Sequence, residues 1–132
     1  MSLVDIGANL TNRRFAGDIE AVLERSRAAG VDTVVVTGTS VAASFAARDL
    51  ASRRDSPVAL RSTAGVHPHH AKTHGPLAMA SLRELCAHPR VVAVGECGLD
   101  YDRNFSTPAE QRSCFAAQLE TAPSWLRAFS LF

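Results

Sequence analysis

Short apolar runs alternate with longer segments of helical period along most of the chain. The runs are rich in β-branched residues and too short to be independent helices, so they predict β-strands. They begin about 30 residues apart, the length that a strand, a helix and two loops occupy together. They cover residues 3–6, 33–36, 59–63 and 91–94. This pattern predicts an α/β fold with a parallel sheet of about four βα units.

The segments between these strands predict amphipathic helices. The first covers residues 15–29 and ends before Gly30, and the second is capped by Ser40. Apolar positions at helical spacing predict the third over residues 79–86. The sequence Thr107-Pro108-Ala109-Glu110 is typical of a capping box with proline in the first turn, and it opens the fourth helix.

Composition narrows the class of protein. A chain of 132 residues fits one domain with one hydrophobic core, and 46% apolar with 20% charged residues excludes a disordered chain. The apolar runs are much shorter than a bilayer span, so no membrane partner is expected. The net charge of +1 gives no overall attraction to polyanions, so an anionic substrate must be held by local groups.

The cysteines and the N-terminus bear on the cellular compartment. Cys86, Cys97 and Cys114 cannot all pair within one molecule, and they form no Cys-x-x-Cys motif. The first residues contain no basic region followed by a long apolar stretch, as a secretory signal would. We therefore expect reduced thiols and a cytoplasmic location.

The last twelve residues differ from the rest of the chain. Pro123 interrupts the helical pattern, and Trp125, Phe129 and Phe132 follow without an amphipathic segment to bury them. We predict that residues 1–120 form the domain and that residues 121–132 are an aberrant tail. The unrelated composition of this tail is what translation in a shifted frame would produce.

Polar, glycine-containing loops follow all four predicted strands, where ligands collect in parallel α/β folds. Glu96 lies directly after a buried strand between Gly95 and Gly98, a poor place for a solvated carboxylate. A divalent cation would stabilise it there, since such ions prefer oxygen ligands. A carboxylate that is solvated or paired with arginine is the alternative.

Four histidines lie within eight residues of the loop after the third strand. Their imidazoles could bind a metal ion or a phosphate. His67 and His69 are nearest to the strand end and are the candidates for facing the site. We expect His70 and His74 to be ordinary surface residues.

Other polar residues have two interpretations each. Asp5 could orient a ligand or cap its own loop. Asp100 and Asp102 could reach a second ion or form a salt bridge with Arg103, which is the commoner outcome. Cys97 lacks any charge that would lower its thiol pKa, so it is expected to be a small buried residue.

Four segments together match the motifs of a known family. They occur in the order Asp5-Ile-Gly-Ala-Asn-Leu-Thr11, Thr37-Gly-Thr39, Ser62-Thr-Ala-Gly-Val-His-Pro-His-His70 and Val94-Gly-Glu-Cys-Gly-Leu-Asp-Tyr-Asp-Arg-Asn-Phe-Ser-Thr-Pro108. In these segments the chain closely resembles the TatD family of metal-dependent deoxyribonucleases, over residues 3 to about 120. The fourth segment is the most specific.

The resemblance implies a (β/α)₈ barrel of the TIM type, here truncated to about four βα units. It implies a 3′–5′ exonuclease in which one or two divalent ions activate water to cleave DNA, with RNA as a second substrate. Mg²⁺ is the first expectation, with Mn²⁺ or Zn²⁺ as alternatives. Glu96 matches the family's metal-bridging glutamate. The expected site-lining residues are Asp5, Asn9, His67, His69 and Asp100.

The chain also departs from the family. Many members have histidines where Gly7 and Asn9 stand, which leaves the number of metal ions open. A full barrel needs about 250 residues, so we expect this chain to lack the family's later histidine ligands and the aspartate that would be the general base. An inactive half-barrel that self-associates through its open sheet edges is therefore the alternative function. A small metal-binding module built on the histidine loop and Cys97 is a third.

Three arginines could contact phosphates of a nucleic acid. They are Arg13, Arg14 and Arg103. We expect them to be ordinary surface charges, because no base-stacking aromatic residue is expected near them.

Overall fold

A parallel sheet of five strands forms the centre of the fold. The computed structural model describes residues 2–122 and the backbone of residues 127–130. The strands follow one another in the sheet in chain order. They are β1 (Leu3–Ala8), β2 (Val31–Val36), β3 (Ala59–Ala64), β4 (Val91–Cys97) and β5 (Arg127–Ser130). The four predicted strands are confirmed.

Four helices connect the strands. They are α1 (Ile19–Ala28), α2 (Val41–Ala51), α3 (Pro76–Cys86) and α4 (Pro108–Thr121). Ser40 caps α2 by accepting a hydrogen bond from the Ala43 N–H, and Thr107 with Glu110 forms the predicted capping box of α4.

The first helix begins later than the sequence pattern indicates. Residues Arg13–Phe15 form a separate 3₁₀ turn, in which the Asn12 side chain accepts a hydrogen bond from the Arg14 N–H. Gly17 follows this turn and is a poor helix former, so α1 begins only at Ile19.

Two apolar clusters join the helices to one face of the sheet. The first lies between α1, α2 and the strands β2 and β3, around Leu23, Val36 and Leu60. The second lies between α3, α4 and the strands β3 and β4, around Leu82 and Val94. Each βα unit therefore buries its apolar stripe against the sheet, as in barrels of this class.

The other face of the sheet is open. Val4 and Ile6 are 56% and 57% exposed, and Val92 is 42% exposed. An apolar depression of about 180 Å³ on this face is lined by Ile6, Val35, Thr63, Val92 and Ala93. A parallel sheet covered by helices on one side and open on the other is the architecture of half a barrel.

The strand β5 falls within the segment predicted to be an aberrant tail. Its residue Arg127 pairs with Ala93 of β4, and Ala128 pairs with Val94. Trp125, Phe132 and the side chain of Phe129 lie outside the described residues. The boundary at residue 120 and the frameshift origin of the tail stay predictions.

The described part of the chain contains no helix that spans a membrane and no disulfide bond. Within that part, the helices are all too short or too polar to cross a bilayer. Cys86, Cys97 and Cys114 are buried there and form no disulfide.

The ends of β3 and β4 approach each other so closely that only glycine fits at residue 65. A Cβ atom on Gly65 would lie 2.5 Å from the carbonyl carbon of Gly95 and 2.7 Å from its Cα atom. Both partners are backbone atoms, so a side-chain movement cannot relieve the clash.

We predict that Gly65→Ala lowers the free energy of unfolding by roughly 1–3 kcal/mol, because the added methyl group overpacks this contact. Urea denaturation followed by circular dichroism measures the change. Gly17→Ala is the matched control, since nothing lies within 4 Å of a Cβ at that position. Equal unfolding midpoints for the two variants would contradict the prediction.

Candidate functional site

The carboxyl ends of β3 and β4 carry the candidate site. His67 follows β3 by three residues, and Glu96 is the penultimate residue of β4. The loop after β2 joins both positions: the Glu96 N–H donates to the Gly38 carbonyl at 2.8 Å, and the His67 N–H donates to the Thr39 carbonyl at 2.9 Å. The backbone around both side chains is therefore held by the same neighbouring loop.

His67 and Glu96 face each other. Nε2 of His67 lies 3.4 Å from Oε1 of Glu96, and the two side chains are only 13% and 14% exposed. Nδ1 of His67 accepts a hydrogen bond from the His69 N–H at 3.1 Å. In the neutral ring the proton therefore lies on Nε2, where it points toward the Glu96 carboxylate.

His69 and Asp100 form a second, tighter pair. Nε2 of His69 lies 2.7 Å from Oδ2 of Asp100, whose side chain is 8% exposed. The N–H groups of Asp102 and Arg103 donate to the other carboxylate oxygen, and the Arg103 guanidinium lies 3.2 Å from Oδ2. These contacts, the His69 hydrogen bond first, lower the pKa of Asp100 to about 2. Asp100 is therefore ionised at neutral pH, and Nε2 of His69 donates to it.

The two pairs form one group. The rings of His67 and His69 meet edge to face with their centroids 4.3 Å apart. We call His67, His69, Glu96 and Asp100 the histidine–carboxylate cluster. It contains two carboxylates and two imidazoles, so it can hold protons at defined ring nitrogens and attract a cation.

Two buried glutamines of α4 were not among the candidates from sequence. Gln118 accepts a hydrogen bond from the Val66 N–H at 2.8 Å and donates to the Val66 carbonyl at 3.0 Å. Gln111 accepts from the Asp100 N–H at 2.7 Å and donates to the carbonyls of Asp100 and Ser106. They hold the backbone of the two loops that carry the cluster.

The sequence contains a signal for these glutamines. Gln111, Cys114 and Gln118 have the spacing of one helical face, and this is the face that α4 buries. Leu119, by contrast, is 47% exposed. A helix that buries polar residues and exposes leucine indicates that its polar groups have specific partners.

Asp5 lies within β1, and Asn9 directly follows this strand. Oδ1 of Asp5 accepts a hydrogen bond from the Gly7 N–H at 3.1 Å, within the part of β1 where the pairing with β2 is irregular. Asn9 is exposed at the end of β1. In the part of the chain that the structure describes, neither is hydrogen-bonded to a cluster residue.

The remaining candidates make local contacts. Cys97 is fully buried, and its burial raises the thiol pKa to about 11, so it is no nucleophile at neutral pH. His70 is exposed. His74 donates from Nδ1 to the Ala71 carbonyl and accepts from the Ser113 hydroxyl. Asp102 is exposed, and Asp100 makes the salt bridge with Arg103.

The cluster does not make a complete metal site. Among residues 2–122 and 127–130, no three His, Cys, Asp or Glu side chains are grouped closely enough to hold an ion. Catalytic zinc sites have three protein ligands and structural sites have four. His67 and Glu96 supply two donors, so the described residues do not fit a closed site.

Comparison with known proteins identifies relatives. The sequence model of the family described as TatD related DNase matches residues 4–131. The protein named 3′-5′ ssDNA/RNA exonuclease TatD from Musicola paradisiaca is 49% identical over 120 residues, which is 91% of this chain and 45% of that protein. The protein of the same name from Edwardsiella piscicida is 48% identical over the same length. The chain spans about half the length of these relatives.

Solved structures show the same fold. A TatD homolog from Escherichia coli K12 superimposes with a TM-score of 0.83 at 28% identity, covering 97% of this chain and 49% of that one. A hydrolase of the TatD family from Entamoeba histolytica gives a TM-score of 0.81 at 29% identity, with 48% of its chain covered. The expected fold, half of a TIM barrel of this type, is thereby confirmed.

We predict that Asp100 stabilises the fold through its ionised form. Its pKa of about 2 in the folded chain lies below the unfolded value of about 3.9. The stabilisation is therefore complete above the unfolded pKa and is lost as the pH falls through the folded pKa. Asp100→Asn should unfold at lower urea concentration than the wild type at pH 6, and the difference should shrink between about pH 4 and pH 2.

Asp102→Asn is the control for this experiment, since its exposed carboxylate accepts no hydrogen bond from the described residues. It should leave the urea midpoint unchanged at both pH values. A difference between wild type and Asp100→Asn that stays constant as the pH falls would contradict the prediction.

Proposed function

The chain belongs to the TatD related DNase family. From this membership we propose that it acts as a 3′–5′ exonuclease, which hydrolyses phosphodiester bonds in single-stranded DNA or RNA. The observation that supports this most directly is the His67–Glu96 pair at the carboxyl ends of β3 and β4. This is the edge at which active sites of such barrels lie. The substrate class comes from the names of the relatives.

The charge of the cluster bears on how a substrate binds. With neutral imidazoles the two carboxylates carry a charge of −2, of which the Arg103 guanidinium offsets the charge of Asp100. The charge of the Glu96 carboxylate then repels an anionic phosphodiester. Binding of the substrate therefore needs a compensating cation, in agreement with the metal dependence of the family. Mg²⁺ is our first choice, with Mn²⁺ or Zn²⁺ as alternatives and one or two ions per site.

Each cluster residue has a proposed role. Glu96 is the metal-binding carboxylate that this chain contributes, and a complete site needs ligands besides Glu96 and His67. Asp100 keeps the proton of neutral His69 on Nε2, so Nδ1 is the ring atom that can accept a hydrogen bond or a proton. Asp5 in β1 and Asn9 directly after it are proposed as further residues that line the site.

An inactive half-barrel is the second candidate. Two observations favour it: the apolar inner face of the sheet is open around Ile6 and Val92, and the described donors do not complete a metal site. The edge strand β1 is exposed, with Leu3 at 41%. An open, apolar edge favours pairing with another chain, so this candidate includes self-association of the chain through β1.

For the compartment we propose the cytoplasm. The three buried cysteines form no disulfide among the described residues, which is the usual condition in a reducing compartment.

We expect Glu96→Ala to abolish metal-dependent cleavage, because it removes the carboxylate that the cluster contributes to the cation. The assay measures degradation of a 3′-labelled single strand of DNA or RNA with Mg²⁺ or Mn²⁺, beside size-exclusion chromatography of each protein. Glu84→Ala, at an exposed glutamate of α3, is the control and should keep full activity.

The cleavage activity and the oligomeric state of the wild-type chain distinguish the two candidate functions. Cleavage that is lost in Glu96→Ala and kept in Glu84→Ala supports the exonuclease. A wild type that cleaves nothing and elutes as an oligomer contradicts it and supports the inactive half-barrel.

A further inference from the structure

Two exposed aromatic side chains lie in the loop between β4 and α4. Phe105 is 60% exposed and Tyr101 is 48% exposed, whereas the other described aromatic side chains are partly buried. Single exposed apolar residues are common on protein surfaces. Two aromatic rings in one five-residue segment beside a candidate site are a different case. We call residues 101–105 the aromatic loop.

The aromatic loop touches the histidine–carboxylate cluster directly. The Phe105 ring meets the His69 ring edge to face, with the centroids 4.7 Å apart. His69 in turn is bound to Asp100, which immediately precedes Tyr101. A group bound on the exposed Phe105 ring would therefore lie next to the cluster.

One arginine belongs to the aromatic loop, and a second contacts it from α4. Arg103 lies between the two rings in sequence and is 58% exposed, and Nη1 of Arg112 lies 3.5 Å from the Tyr101 hydroxyl oxygen. Aromatic residues therefore stand two positions from Arg103 on both sides in sequence, and the expectation that Arg103 is an ordinary surface charge stays a prediction. The carboxylates of Asp100, Asp102 and Glu110 lie in the same region, so charge alone does not make this a polyanion site.

The loop is held in a fixed conformation. The Asn104 side chain donates to the Tyr101 carbonyl at 2.6 Å, and Gln111 donates to the Ser106 carbonyl at 2.9 Å. The Ser106 hydroxyl accepts from the Lys72 N–H and donates to the His69 carbonyl. Phe105 thus sits between two anchored residues, so a ligand that stacks on it loses little affinity to ordering of the loop.

We propose that the aromatic loop is a stacking site for the nucleobases of a single-stranded nucleic acid, with Phe105 as its main contact. Base stacking on an aromatic side chain accepts every base, and nearby guanidinium groups can contact the adjoining phosphates. The choice of nucleic acid as the ligand rests on the proposed function. The rings themselves, their exposure and their contact with His69 are properties of this chain.

The test compares strands that have and lack bases, in the presence of Mg²⁺ and with phosphorothioate linkages in both strands so that no cleavage occurs. Fluorescence anisotropy measures binding of the full chain to a labelled oligothymidine strand and to an abasic strand of equal length. The wild type should prefer the strand with bases. Phe105→Ala should weaken that binding by at least about fivefold and leave abasic binding unchanged, while Phe105→Trp should retain the preference.

Leu119→Ala is the matched control, since it removes another exposed apolar side chain from α4 without touching the loop. It should bind both strands like the wild type, and circular dichroism should show that every variant is folded. Equal affinity for both strands, equal effects of Phe105→Ala and Leu119→Ala, or no binding by the wild type would overturn the proposal.

The proposed function can fail separately. Base-dependent binding without cleavage would contradict the exonuclease and leave the stacking site standing. Cleavage by a chain in which Phe105→Ala does not change binding would support the exonuclease and contradict the stacking site. A surface that serves a protein partner instead would give no preference between the two strands.

Discussion

The site depends on hydrogen bonds between buried backbone groups and the side chains of α4. When the chain leaves β3 and β4 it still has peptide groups to satisfy, and a buried peptide group without a partner costs about 1–3 kcal/mol. Gln118 satisfies both the N–H and the carbonyl of Val66, and Gln111 does the same for Asp100. A side-chain amide can pair with both groups of one residue because its carbonyl oxygen accepts a hydrogen bond and its NH₂ group donates one.

This arrangement makes α4 the element that positions the cluster. Val66 precedes His67, and Asp100 holds the ring of His69, so one helix face controls the backbone of one pair and the acceptor of the other. The close contact of Gly65 with Gly95 brings the two strand ends together. The glutamines fix the conformation of the loops that follow.

Much of the fold could be predicted from sequence because its signals are local. Apolar runs, the cap at Ser40 and the capping box at Thr107 each act within a few residues, and the structure has all of them. The predicted start of α1 is four residues too early, because Asn12 stabilises a competing 3₁₀ turn. In that case the polar cap outweighed the apolar pattern.

The site was less predictable because its pairs are distant in sequence. His69 and Asp100 are 31 residues apart, and Gln118 lies 52 residues from Val66. Residue type and position at the strand ends identified Glu96 and His67 as candidates, but which histidine meets which carboxylate depends on loop conformation. Asp5 lies within β1, and its carboxylate accepts a hydrogen bond from the Gly7 N–H of the same strand.

The two faces of the sheet differ in what they contribute: the covered face fixes the positions of the cluster residues, and the open face bears on whether the site is complete. The core between the helices and the sheet is complete for each βα unit, with Leu23, Leu82 and Val94 fully buried. The geometry of the cluster is set on that side, through α4, and does not need the open face. Among the described residues, no second wall covers the open face around Ile6 and Val92; such a wall would exclude water and bring further donors toward Glu96. The positions of the cluster residues and the completeness of the site are therefore separate properties, and this chain specifies the first.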